Sequence, residues 1–268
     1  MSMGLLPAGF RFSQASLATG EGCPRRFYLK YLRRLNWPGA ADPAGLALER
    51  GADRGRLFHH LAVQHHLGLP VEAQVQASGD PVLSRWWDHF LCHPPQGVPK
   101  GEVYLELELW VPLGAWWLRA RFDKVVVGPE EVCIVDWKTG SGNRDFLESW
   151  QTLVYCFAAC EGGAALSQGR TLLPEQVSLC YWHAEKPQAP LWRRHGEEAH
   201  QQARSRIESL VGQLSGLENP DAFAMTEDPQ RCAACEFRAY CGRGSGVGPG
   251  WEEEGEEEGG DLPLELGY

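Results

Sequence analysis

The chain has 268 residues, 43% of them hydrophobic, with a net charge of −10, enough for one substantial core or two small domains. No apolar run reaches the ~18 residues needed to span a bilayer, and the opening MSMGLLPAGFRF lacks a charged segment followed by a long apolar one, so we expect a cytoplasmic protein with neither membrane anchor nor secretory signal. The acidity is uneven, −7 in residues 242–268 against −3 in residues 1–241, so overall charge neither supports nor excludes nucleic acid as a partner; a local basic groove would decide.

Taken in order, residues 12–35 start with a Ser-containing turn and continue as CPRRFYLKYLRRL, with Pro24 suited to a first helical turn. Phe27, Tyr31 and Leu35 make an apolar stripe. Arg25, Arg26, Lys30, Arg33 and Arg34 cover the other faces, either as a solvated surface or as phosphate contacts. Residues 37–44 read as a loop. Residues 46–67 read as a helix, with Leu48, Leu57, Leu61 and Val63 apolar and with His59, His60, His65 and His66 along it. Histidines on a surface helix are weak evidence by themselves, and His65 and His66 are read as surface. Residues 80–93 form a short helix with Asp80 as N-cap, and Trp86, Trp87 and Phe90 belong to a core. Residues 94–99 are a loop.

Residues 103–111 (VYLELELWV) alternate as a strand, with Glu106 and Glu108 on one face. Residues 116–127 and 132–137 form two more strands, and Gly128-Pro129 can turn between them. Side chains on a strand alternate faces, so Asp136 and Lys138 point the same way; a hairpin would set Asp123 beside them. Two carboxylates and an amine at one sheet edge suit a hard divalent cation and point to metal-assisted phosphodiester hydrolysis. In the helix at 145–160, Gln151 and Tyr155 share a face, while Cys156 and Cys160, like Cys92, Cys133 and Cys180, are read as core. A strand at 176–183 and a polar helix at 196–217 follow a loop at 167–174.

Nine cysteines are many for a reducing compartment, and an odd number without regular spacing argues against a disulfide framework. Cys232, Cys235 and Cys241 in RCAACEFRAYC converge on one centre, zinc or an iron–sulfur cluster, whose fourth thiolate must come from far away in sequence. Residues 242–268, rich in Gly and Glu, are expected to be disordered. There is no internal repeat and no GxxxxGK[ST] phosphate loop.

Asp123, then Asp136-Trp137-Lys138-Thr139-Gly140, then Gln151 and Tyr155 resemble the PD-(D/E)XK nucleases. More narrowly they are similar to the RecB-type branch, which includes CRISPR-associated exonucleases with an iron–sulfur cluster. Gly55-x3-His59 is similar to that branch's helix motif, Glu106 to a strand glutamate near its metal, and Cys23 in Cys-Pro-Arg-Arg-Phe to its N-terminal cluster cysteine. Ala120 stands where the pattern usually has Gly. The resemblance implies an α/β fold, a mixed central β-sheet flanked by helices (a restriction-endonuclease-like core). One domain over residues 1–241 would have its two ends joined at the cluster. It implies Mg2+ or Mn2+ held by His59, Asp123, Asp136, the Trp137 carbonyl and Glu106. Lys138 would orient a water or neutralise charge, and Gln151 and Tyr155 would hold the DNA or the lysine. It further implies a structural [4Fe-4S] cluster on Cys23, Cys232, Cys235 and Cys241, with zinc as the alternative. The implied activity is a DNA exonuclease on single-stranded ends, in repair, recombination or CRISPR-type processing, partnered by a helicase or a CRISPR adaptation protein. A nuclease-like DNA-binding or partner-binding module, and a nuclease acting on RNA, are the other readings.

Overall fold

The computed structural model describes residues 4–35, 43–140, 146–167 and 169–244, apart from the side chains of residues 43–49 and 234. The expected loop at 37–44 (but for its last two residues), Asp145 and the acidic tail from 245 onward lie outside these residues. Six strands form one mixed sheet: β1 (Arg11–Phe12), β2 (Glu102–Leu113), β3 (Trp116–Val127), β4 (Val132–Lys138), β5 (Val177–His183) and β6 (Leu191–Arg194). β3 is the hub. It pairs antiparallel with β2 along its length, parallel with β1 at its start, and antiparallel with β4 at its end. β4 continues parallel to β5, and β5 antiparallel to β6. This is the expected α/β architecture, a mixed central sheet flanked by helices.

The burial of β4 explains its sequence. A strand covered on both faces reads as a near-continuous apolar run. Val132 and Ile134 enter one core, and Cys133, Val135 and Trp137 enter the other. The first core lies under α6 (Trp150–Glu161) and α7 (Glu197–Ser215), together with α1 (Gln14–Gly22) and α2 (Pro24–Phe27). The second lies under α3 (Pro43–His66) and α5 (Pro81–Cys92); α4 (Glu72–Ala77) joins those two helices. Phe58, fully buried, stacks on Trp182 of β5 at 6.0 Å and pins α3 to the sheet. Truncating a buried Phe costs about 3–5 kcal/mol, so this one contact fixes where His59, the next residue, can sit.

Local chemistry sets the helix starts. Ser13 and Ser16 form a reciprocal capping box at α1. Ser149 caps α6, which begins at Trp150, later than the sequence pattern suggested. Asp80 caps α5 through the N–H groups of Val82 and Leu83, as expected. The basic segment after Cys23 is not one continuous α-helix: α2 passes into a π-helical turn at Tyr28–Leu32. Cys92, expected in a core, is exposed at the end of α5. Trp86, Trp87 and Phe90 pack into the α3–α5 core as expected. Among the described residues no helix is long and apolar enough to cross a membrane.

Candidate active site

The site begins with a paired irregularity in β2 and β3. Leu107, Leu109 and Val111 of β2 and Ala120 and Phe122 of β3 face the α6 core. Strict alternation would send Leu105 to the same core, yet Leu105 packs in the α3 core and Tyr104 in the α6 core. On β3 the same slip separates Phe122 from Val125. Each strand therefore places two consecutive residues, Leu105-Glu106 and Asp123-Lys124, toward α3. The register resumes on either side, with Leu107 opposite Phe122 and Leu105 opposite Lys124. Glu106 carries the strain, with a left-handed φ of +49°, a conformation that costs a non-glycine residue of order 1–3 kcal/mol and clusters at functional sites. β4 leaves β3 just here, after the Lys124–Val135 pair, and Asp123 fills the gap.

Asp123 Oδ2 accepts the Trp137 backbone N–H at 2.8 Å, and Oδ1 lies 3.2 Å from His59 Nδ1. Gly55, one turn before His59, lets α3 approach: a Cβ there would lie 2.9 Å from Thr139 Oγ1. Asp136 faces α6 and is 3% exposed. Its Oδ2 accepts from Gln151 Nε2 at 3.0 Å, and its Oδ1 lies 3.0 Å from Lys138 Nζ. That last pair lacks hydrogen-bond geometry, leaving Oδ1 a buried acceptor without a hydrogen bond. Gln151 ties the group together, since its Oε1 accepts from Lys138 at 2.5 Å and its Nε2 sits 3.0 Å from the Tyr155 hydroxyl. Gln151 and Tyr155 are 2% and 3% exposed. Of the two roles expected for them, holding the lysine is the one their burial permits; contact with a polynucleotide is not.

Burial pulls the His59 imidazole down, but the adjoining Asp123 carboxylate outweighs it and holds the pKa up at about 9. Burial opposes ionisation of Asp123, yet His59, the Trp137 N–H and Lys138 keep it below the usual carboxylate range. Burial pushes Asp136 up, with the Asp123 charge adding and Lys138 opposing. Two carboxylates in one buried site resist being ionised together unless a cation is shared. His59, Glu106 and Asp123 offer ligand atoms within 4.8 Å of one another, a group that Asp136 does not join. This donor set, mostly carboxylate oxygen with one imidazole, fits Mg2+ or Mn2+.

The surroundings depart from the sequence reading. Glu106 joins the site while ion-paired to Arg121; Glu108 pairs with Arg119 on the outer face. His66, expected as plain surface, is exposed but stacks on Trp137 at 5.7 Å, and its Nε2 lies 3.4 Å from Lys124 Nζ. His65 is half-buried against Trp87 and Phe90. Regular alternation puts Lys124 on the opposite face from Asp123, so only the slip in β3 brings it here.

The basic helix is a clip as much as a surface. Arg26 is 2% exposed, and its Nε binds both carboxylate oxygens of Glu236 at 2.9 and 3.1 Å. Its guanidinium is therefore not available to a phosphate, contrary to expectation. Arg25 donates to the Pro220 carbonyl at 2.9 Å. Lys30 lies 5.5 Å from the Tyr31 ring centroid, and Arg33 and Arg34 are exposed. Through this clip Cys23, Cys232, Cys235 and Cys241 line one apolar cavity. Cys23 Sγ accepts backbone N–H groups from Arg26 and Thr226, each at 3.4 Å, the solvation a thiolate ligand needs. Among the described residues the four sulfurs are not drawn within 4.8 Å of one another, whereas a single tetrahedral ion with Zn–S bonds of about 2.3 Å would draw them closer than that.

The sequence matches the model of a family described as the PD-(D/E)XK nuclease superfamily over residues 11–242, a span holding every site residue named above. No curated protein matches the sequence. Among solved structures, the crystal structure of SSO0001 is similar at 12% identity and a TM-score of 0.42, covering 88% of each chain. A Eubacterium rectale protein named "Putative exonuclease" is similar at 12% identity and a TM-score of 0.39, covering 75% of this chain and 79% of its own. Those two likenesses carry no weight at such scores. The family match spans most of the chain: the chain belongs to the PD-(D/E)XK nuclease superfamily, a family of phosphodiester hydrolases.

Proposed function

We propose that the protein is a divalent-metal-dependent deoxyribonuclease that degrades DNA from single-stranded ends, in repair, recombination or CRISPR-type processing. The observation that carries this reading is the convergence of His59, Glu106 and Asp123 within 4.8 Å of one another, with Asp136 adding its charge at the same site and Lys138 3.0 Å from it. These side chains, with the Trp137 carbonyl, would hold Mg2+ or Mn2+. The bound ion would supply Lewis acidity toward the phosphate and a more acidic water. Lys138, kept extended by Gln151, provides a fixed positive charge for the negative charge that develops at phosphorus. In this reading the lysine acts through its charge, 3.0 Å from Asp136, and not as a base. His66 and Lys124 supply a ring and a cation at the rim; Arg33 and Arg34, exposed after the basic segment, are the remaining candidates for phosphate contact.

The four-cysteine cavity supports a structural [4Fe-4S] cluster on Cys23, Cys232, Cys235 and Cys241. It would lock α2 to the C-terminal segment, as metal binding locks small domains. A helicase or CRISPR adaptation protein would supply the unwound strand.

The test is cleavage of end-labelled single-stranded DNA, duplex DNA and RNA with Mg2+ or Mn2+, comparing wild type with Asp123→Ala and Lys138→Ala. We expect both variants to lose cleavage while keeping DNA binding. Unchanged cleavage in both overturns the site, and RNA cleaved in preference to DNA overturns the substrate.

A further inference from the structure

A second group of metal-binding side chains is buried between α6 and α7, away from the nuclease site. Cys160 lies in the last turn of α6, His195 follows β6, and His200 lies near the start of α7. They are 7%, 9% and 5% exposed. One ligand atom from each lies within 4.8 Å of the other two. The sequence offers no motif for this trio, because its members come from three separate elements; Cys160 alone reads as core.

The arrangement has the features of a built site. His195 Nε2 and His200 Nδ1 face each other at 3.2 Å, close to the ~3.3 Å edge of a tetrahedron around an ion with bonds of about 2.0–2.1 Å. The other ring nitrogen of His200, Nε2, is 3.0 Å from Glu161 Oε1, an oxygen that also accepts from Arg204 at 2.7 Å. A carboxylate on the outer nitrogen holds the proton there and turns the inner nitrogen's lone pair into the cluster. Phe157 stacks on the His200 ring at 5.1 Å and fixes its plane. The His195 backbone N–H is anchored on the Val177 carbonyl at 3.0 Å.

We propose that Cys160, His195 and His200 bind one Zn2+, with a water in the fourth position. One thiolate and two imidazoles suit this borderline ion and are poor ligands for Mg2+ or Ca2+. On binding, a Zn–S bond replaces the Cys160 S–H bond and that proton leaves to solvent. The ring proton that His195 shares with His200 moves to His195 Nδ1, and no group changes oxidation state. The ion joins the end of α6 to the β6–α7 connection, a structural role independent of the nuclease reading.

The experiment uses the full chain, purified from zinc-replete medium without chelator. Elemental analysis and zinc X-ray absorption are run on wild type, Cys160→Ser and His200→Gln. We expect wild type to hold one zinc with one sulfur and two imidazole ligands, and each variant to lose it while iron content and the visible absorption of the four-cysteine site stay unchanged. Wild type without zinc, zinc with sulfur ligands alone, or equal zinc in all three proteins overturns the proposal. Should either variant fail to fold, the wild-type ligand count decides.

Discussion

Gln151→Leu separates support of the lysine from contact with substrate. Leucine has nearly the volume of glutamine and no polar atoms, so it orphans Lys138 Nζ, Asp136 Oδ2 and the Tyr155 hydroxyl, now held at 2.5, 3.0 and 3.0 Å. A buried group left unsatisfied costs about 1–3 kcal/mol. Lys138 keeps Asp136 at 3.0 Å and its side chain is 13% exposed, so it counts at the low end. The expected loss is about 3–5 kcal/mol, a large part of the 5–15 kcal/mol typical of a domain. Urea unfolding should show a lower midpoint at unchanged slope, and metal-dependent cleavage should fall with Lys138 no longer fixed. Gln151→Glu keeps an acceptor for Lys138 but sets an oxygen against Asp136, and should be no more stable than Gln151→Leu at neutral pH. A loss below about 1 kcal/mol with cleavage abolished would refute this account, because Gln151 would then act on substrate and not on the lysine.

Glu106→Gly should relieve the +49° backbone, worth about 1–2 kcal/mol, against loss of a half-buried ion pair to Arg121 worth about 1 kcal/mol. Stability by urea unfolding should hold or rise while cleavage drops at least about 10-fold. Arg26→Met strands Glu236 in a largely buried pair and should cost about 3–5 kcal/mol, with the cluster proposed for the four-cysteine site lost more readily to chelator and DNA affinity unaltered. At Asp80 partial burial pushes the carboxyl up, but Arg54 and the Leu83 and Val82 N–H groups prevail and hold it below the usual range. A depressed carboxylate contributes stability above its unfolded pKa and loses it as pH falls through the folded one. Asp80→Ala should therefore cost about 1 kcal/mol at pH 7, with the gap to wild type closing below about pH 4, as thermal melts at both pH values would show.

What was legible in the sequence follows the two regular periods. Period two put Asp136 and Lys138 on one face, and the helical spacing put Gln151 under Tyr155; both hold in the structure. The hairpin over Gly128 was readable as well, closed by Gly128 N–H on the Glu131 carbonyl at 2.8 Å. What escaped either lacks a period or breaks one. β1, of two residues, is too short for any pattern. Lys124 and His66 meet only because β3 slips. Arg26 looked like surface because its partner Glu236 lies 210 positions away, and a charge reads as solvated until its counter-charge is known.

The slip in β2 and β3 also sets what kinds of sequence change the fold tolerates. Losing one residue from either strand shifts everything beyond it to the other face, which would turn core residues to solvent. Losing Glu106 and Asp123 together would restore simple alternation in both strands and keep every remaining cross-strand pair. The ribbon would then be more regular than it is now, relieved of its one strained residue, and stripped of the two carboxylates that lie within reach of His59. For this sheet, the two residues that spoil its regularity are also two of those proposed to make it a nuclease site.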